Sequence, residues 1–206
     1  MFREPQLVLK DLLKHIAPML KDAGFKRRGS TWHRQGEGVV VVVNVQKDRH
    51  NTAKSVRFTI NLGVFTPRLD DMRKAIASDP PSHTDCALRK RIGFLMPERA
   101  DKWWEITAWS REKSLCSEIA DVVERHVLPW CAGLGSEAAL RDHWLTHRAG
   151  GELLPGELIM VAQLVRDLGP QDLLPELVVE LESKLAEMPD YVPLQRWVPI
   201  LKEFLE

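Results

Sequence analysis

Near the start of the chain, Val8, Leu9, Leu12, Leu13, Ile16, Met19 and Leu20 recur at three- and four-residue intervals. That spacing predicts one amphipathic helix over residues 5 to 23. Gly24 stands where a glycine commonly ends a helix, and Pro18, which lacks a backbone donor, predicts a kink or break inside it. The period then changes. Val39 to Val45 holds six valines, interrupted only by Asn44. Valine is stiff about χ1 and favours strands, and an exposed run of this kind would invite aggregation. The run is therefore expected as a central strand covered on both faces. In Val56 to Val64, Phe58, Ile60, Leu62 and Val64 alternate with Arg57, Thr59 and Asn61, the pattern of a strand with one apolar face. A polar stretch from Lys47 to Ser55 joins the two, so an antiparallel hairpin is the simplest pairing. Ser30 to Arg34, Arg91 to Leu95 and Trp103 to Trp109 are further strand candidates, and a short helix is read near Leu69 to Ala77.

From Arg111 onward the apolar positions return to helical spacing. Leu115, Ile119, Val122, Val123, Val127 and Trp130 fall on one face, with Ser110 as the expected N-cap. Ser136 is read as the cap of a following helix that carries Leu140, Trp144 and Leu145. Gly150 and Gly151 mark the expected boundary, beyond which lie three helical segments near 152–168, 171–187 and 193–205. The pattern predicts an α+β fold. A mainly antiparallel sheet of four or five strands is packed by the helices 5–23 and 111–130. The expected domains are 1–149, α+β, and 150–206, an all-helical C-terminal extension.

Composition narrows the class without naming a chemistry. Lys plus Arg and Asp plus Glu are 29 each in 206 residues, so no bulk charge draws the chain to nucleic acid or an anionic membrane. A chain of this length buries roughly 70% of the surface its unfolded form exposes, enough to fold without a disulfide or a metal. Cys86, Cys116 and Cys131 are odd in number and widely spaced, which reads as free thiols in a reducing compartment rather than a secreted framework. Charged residues interrupt the N-terminal apolar positions, so no signal peptide is read there, and no stretch has the ~18 apolar residues of a membrane span. The expected location is the cytoplasm.

Five fragments, in order, carry a resemblance: "LKDAGFKRRGSTWHR", "VVVNVQKD", "RFTINLGV", "RIGFLMPERADKWWEIT" and a helix ending in "HVLPW". Together they are similar to the bacterial domain-of-unknown-function family 4304 (DUF4304) over about residues 5 to 147. The resemblance implies an α+β domain with a mainly antiparallel sheet and implies no reaction. Families of this kind often sit among bacterial toxin-immunity and defence proteins, which suggests the setting but not the activity.

Each candidate site stands beside a plain structural explanation. Lys26, Arg27 and Arg28, followed by Trp32, His33 and Arg34, pair cations with aromatics as phosphate- and base-binding segments do; a solvated turn entering a strand is the bland alternative. Asn44 and Gln46 share a strand face, with Lys47 next to them and Asn61 expected across the hairpin. They suit a polar recognition groove, or amides that satisfy one another. Trp103 and Trp104, flanked by charge, should point to opposite faces, one of them an interface anchor or a residue under a C-terminal helix. His143 and His147 lie four apart on a helix, preceded by Cys131, but lack the partner pair of a zinc site. Cys86 beside Asp85 and His83 has no signature of an activated thiol.

No catalytic or metal residues are assigned, and no cofactor is expected. The leading expectation is a non-enzymatic protein-binding or interaction module in the role of an immunity or defence accessory factor, with a protein partner and no membrane. The alternative is a nucleic-acid-binding or processing enzyme that uses the segment 26–34. That alternative requires Lys26, Arg27, Arg28, His33 and Lys47 to meet in one positive cleft.

Overall fold

The computed structural model describes residues 3–72, 79–151 and 153–206. The chain is α+β, and its contacts divide it into two compact units: Met1–Phe65 with Ile76–Gly135, and Thr66–Ala75 with Ser136–Glu206.

The first unit is built on a six-stranded antiparallel sheet among the described residues, one strand more than the upper expectation. Its strands are β1 (Lys26–Arg28), β2 (Thr31–Gln35), β3 (Val40–Lys47), β4 (Ser55–Phe65), β5 (Leu88–Arg91) and β6 (Trp104–Thr107). The additional strand is β1, three residues long and joined to β2 by the two-residue turn Gly29–Ser30. Gly29 has φ +64°, the left-handed conformation that such a hairpin turn needs at its first position. Strands β1 to β4 follow in sequence order. The far edge of the eleven-residue β4 is shared: Phe58 to Ser55 pair with β6, and Asn61 to Val64 pair with β5.

The valine run forms the predicted central strand. Val41, Val43 and Val45 lie opposite Val64, Leu62 and Ile60, on the face that also carries Trp32, Phe58, Trp104 and Ile106. All of these side chains are buried. Helix α1 (Pro5–Asp22) covers this face with Val8, Leu9, Leu12, Leu13, Ile16 and Leu20. It runs uninterrupted across Pro18, so the expected break is absent. Helix α2 (Glu112–Val122) packs beside α1, continues through a π-helical turn at Val123–Val127 and ends in α3 (Leu128–Ala132). Ser110 does not cap α2. Its hydroxyl accepts from the Thr107 amide at 2.9 Å and closes the turn after β6.

The opposite sheet face is covered by a short 3-10 helix, His83–Asp85, which packs on β3 and β4. Val40, Val42 and Cys86 form a small buried cluster there, joined by Phe65. The segment around 81–87 acts as the cover. His33 bonds to the Pro81 carbonyl at 2.9 Å, and the Ala87 amide donates to Val64 at 2.9 Å. Of the helix expected at 69–77, Pro67–Met72 is a 3-10 turn, and the remainder lies outside the described residues.

The second unit is helical. Its elements are α4 (Glu137–Ala149), α5 (Pro155–Leu168), α6 (Leu174–Glu187) and α7 (Val192–Glu203), close to the three expected segments plus the Ser136-capped helix. The Ser136 hydroxyl accepts from the Ala139 amide at 3.0 Å, as an N-cap should. Helix α5 is buried on every side from Leu158 to Val165, and α4, α6 and α7 pack on it or on each other. The 66–68 segment joins this unit through Glu137, which accepts from Thr66 at 2.5 Å and from Arg68 at 2.9 Å. No helix among the described residues is long and apolar enough to cross a membrane.

Candidate functional site

Alternation along β1 and β2 deals the basic segment to two sheet faces. Arg27, Trp32 and Arg34 take the helix side, because Arg27 pairs with Trp32 and Arg34 with Val41. Arg28 and His33 take the other side, where both are engaged. Arg28 donates to the Asp79 carbonyl at 2.8 Å, and the His33 ring meets the Pro81 carbonyl. Burial pushes the His33 pKa down; the Pro81 hydrogen bond opposes that and the Arg28 charge adds to it. Lys47 lies at the far end of β3, where its ammonium reaches the Gln6 side chain at 3.2 Å. The five groups of a single positive cleft are therefore not brought together.

Two of them do converge on a groove between the second half of α1 and the β1–β2 edge. It has a volume of about 670 Å³. Its apolar lining is Ala17, Pro18, Phe25 and Trp32, and its charged lining is Lys14, Lys21 and Arg27 against Asp22, with Lys26 touching it from a position paired to His33 on the other sheet face. Lys14 is partly neutralised by Asp11 at 2.8 Å, and the hydrogen bonds from Lys14 and Arg3 hold the Asp11 carboxyl at about 2. Lys21 and Lys26 are exposed and have no ion-pair partner among the described residues. Arg27 is aimed by the turn: its Nε donates to the Gly29 carbonyl at 2.8 Å, and its guanidinium lies over Trp32 at 5.0 Å from the ring centre.

Trp32 is 1% exposed, and its indole N–H has no hydrogen-bond partner among the described residues. A buried donor left without an acceptor costs about 1–3 kcal/mol. His83 Nε2 and the Trp144 indole N–H share this trait.

The amides on the opposite face meet as the register of the hairpin requires. Asn44 lies opposite Asn61 and Gln46 opposite Thr59. Asn61 donates to Gln46 at 2.7 Å, and Asn44 donates to the Thr31 hydroxyl at 2.8 Å. Asn61 is 3% exposed. These side chains spend their hydrogen-bonding capacity on one another, which is what a buried amide on a sheet must do.

The tryptophans separate as alternation demands. Trp104 is buried, stacks on Phe58 with ring centres 5.5 Å apart and donates to Glu118 at 2.7 Å. Trp103 is half-buried. Its ring lies under the guanidinium groups of Arg57 and Arg91, and its N–H donates to Asp101 at 3.1 Å. The tryptophan that projects is Trp109, 80% exposed in the turn after β6, a position sequence reasoning placed only at the end of a strand.

The remaining candidates have structural partners. His147 Nδ1 lies 2.7 Å from the His143 carbonyl, and no group of three or more metal-ligating side chains occurs among the described residues. The Asp85 carboxylate is bound by the Ser82 amide and hydroxyl, so it does not orient a base for Cys86. Burial pushes the Cys131 thiol up to about 12. The groove residues missed from the sequence are Lys14, Lys21 and Phe25. The available signal was the spacing of Lys14, Pro18 and Lys21 at i, i+4 and i+7, which puts them on one helix face.

The family model described as a domain of unknown function, DUF4304, matches residues 16–133. No curated protein matches the chain, and no solved structure matches it.

Proposed function

The chain belongs to the DUF4304 family, and we propose that it works as a non-enzymatic binding module whose α1/β1–β2 groove receives an acidic, apolar segment of a protein partner. The observation that carries this is the pairing of an apolar floor with a cationic rim. Ala17 and Pro18 would pack against aliphatic or aromatic side chains above the buried Phe25, while Lys21 and Arg27 meet carboxylates. Burial of apolar groups supplies most of the affinity, and the rim supplies orientation and on-rate.

The nucleic-acid alternative finds less support. Base stacking needs an exposed aromatic face, and Trp32 has none. Arg28 and His33 are committed to backbone carbonyls. The setting we propose is the bacterial cytoplasm, where such a module would serve as an immunity or defence accessory factor; Cys116 and Cys131, outside any disulfide, suit a reducing compartment.

Fluorescence anisotropy tests the reading. Labelled peptides rich in Glu, Leu and Phe, and a labelled single-stranded oligonucleotide, are titrated with the wild-type chain and with Lys21→Glu/Arg27→Glu. The expected result is peptide binding that falls at least about tenfold in the variant and weakens with added salt. Oligonucleotide binding without peptide binding, or peptide binding indifferent to the variant, would overturn it.

A further inference from the structure

Resting on that reading of the groove, the helical unit offers a segment of the matching chemistry. Helix α7 leads into Glu203, Phe204, Leu205 and Glu206, all exposed. Phe204 is 51% exposed, Leu205 43% and Ile200 38%. Large apolar side chains are thus set between carboxylates. The one nearby cation, Lys202, is taken up by Glu182 at 2.6 Å. Glu206 also acts on Lys202, so three carboxylates share that one cation, and Glu203 and Glu206 border a shallow groove between α6 and α7 beside exposed apolar side chains.

We propose that the α1/β1–β2 groove of one copy receives the 200–206 segment of a second copy of this chain. Phe204 or Leu205 would lie against Ala17, Pro18 and Phe25, and Glu203 and Glu206 would face Lys21 and Arg27. The complementarity is twofold. A basic rim meets an acidic segment, and an apolar floor meets apolar side chains that their own unit leaves in water. The two surfaces are different, so the contact is heterologous, and it either adds copies head to tail or closes into a ring. A short segment buries less than the ~1,200 Å² of a standard interface, so the association is weak and concentration-dependent. It also competes with any acidic partner for the same groove, which makes the assembly a store of masked binding sites.

Sedimentation velocity of the full chain over a concentration series tests this. The weight-average mass should rise with concentration and return to that of one copy in about 0.5 M salt, where charges are screened within a few ångströms. Lys21→Glu/Arg27→Glu and Glu203→Lys/Glu206→Lys should each associate at least about tenfold more weakly alone, because like charges then face each other. Mixed, the two variants should associate again, since each supplies the charge the other now needs. A wild-type chain that stays monomeric throughout, or variants that associate as the wild type does, overturns the proposal. The peptide titration separates the two readings: acidic peptides that bind a chain that never self-associates leave the binding module standing and remove only the second-copy contact. Self-association indifferent to Lys21 and Arg27, together with no peptide binding, removes both.

Discussion

Gly63 has no room for a side chain, and replacing it tests how the second sheet face is closed. It lies in β4 opposite Val42, beneath the segment that carries Cys86. A Cβ at this position would stand 2.5 Å from Cys86 Sγ and 2.8 Å from Cys86 Cβ. Favourable contacts between such atoms begin near ~3.5 Å, so both overlaps approach an ångström. The covering segment cannot swing away freely. Asp85 ties back to the Ser82 amide at 2.8 Å, and Ala87 is bonded to β4. Overpacking of this kind costs about 1–3 kcal/mol. Against it stands the ~0.5–1 kcal/mol by which alanine outperforms glycine in an unstrained strand. Gly63→Ala should therefore destabilise the sheet unit by about 1–2 kcal/mol in urea unfolding, with an unchanged slope on denaturant. Cys86→Ala removes the nearer of the two clashing atoms and leaves the other. In that background the same glycine substitution should cost less by about 1 kcal/mol, a coupling expected only for residues in direct contact. A Gly63→Ala protein as stable as the wild type, or strictly additive penalties in the double variant, would refute this account of the closed face.

Other outcomes follow from the same packing. Stability should fall on mild acidification: burial lowers the pKa of both His33 and His83, so the unfolded chain, with imidazoles near 6.5, takes up protons first. Full stability holds above that value and is lost as pH drops through it towards the folded pKa values, a trend that urea midpoints would follow and that His33→Gln or His83→Gln should flatten. Arg141, whose guanidinium donates to the Gly169 carbonyl at 2.6 Å beyond the end of α5, should cost the helical unit about 1–2 kcal/mol as Arg141→Ala, read by loss of helical circular dichroism on heating. Trp104→Ala should cost about 3–5 kcal/mol in the same unfolding assay, as a core truncation does. Trp103→Ala, which removes a half-buried ring under two arginines, should cost only about 1–2 kcal/mol.

Periodicity made most of the fold legible. The valine run and its alternating neighbour could only zip into a hairpin, because a shift of one residue would have turned Phe58, Ile60 and Leu62 to the wrong face. The exceptions have local causes. Strand β1 is three exposed residues, Lys26–Arg28, with no apolar alternation to announce it; pairing with β2 alone makes it a strand. The expected strand at 91–95 ends at Arg91, and Ile92–Phe94 forms a 3-10 turn. Gly93 is pressed there against the backbone: a Cβ would meet the Ala100 carbonyl at 1.9 Å. The helix α4, grouped by sequence with the sheet, shares its compact unit with the later helices. Its Leu140 and Trp144 are buried, and Glu137 at its start holds Thr66 and Arg68.

The alternation that reveals the sheet also conceals the groove. Consecutive basic residues look like one patch in the sequence, but a strand sends neighbours to opposite faces, so Arg27 and Arg28 cannot serve the same ligand. A binding surface on an edge strand must recruit its remaining charges from whatever element lies across from it. Here that element is α1, whose apolar stripe drew attention to the buried side and away from Lys14 and Lys21. The chemistry of the groove therefore belongs to a tertiary contact between residues 14–22 and 25–32, and neither stretch carries it alone. Strand register also separates the groove from the amide cluster. Asn44, Gln46 and Asn61 were visible because they lie in register on adjacent strands, and that register is what lets them satisfy one another. Across the sheet, the buried Trp32 indole N–H has no hydrogen-bond partner among the described residues. An unmatched group carries a cost that binding can relieve, whereas a matched one must be broken before it binds anything. The helix-side groove, whose lining carries Lys21 and Arg27 without ion-pair partners among the described residues, therefore suits the proposed acidic ligand better than the self-satisfied amide face.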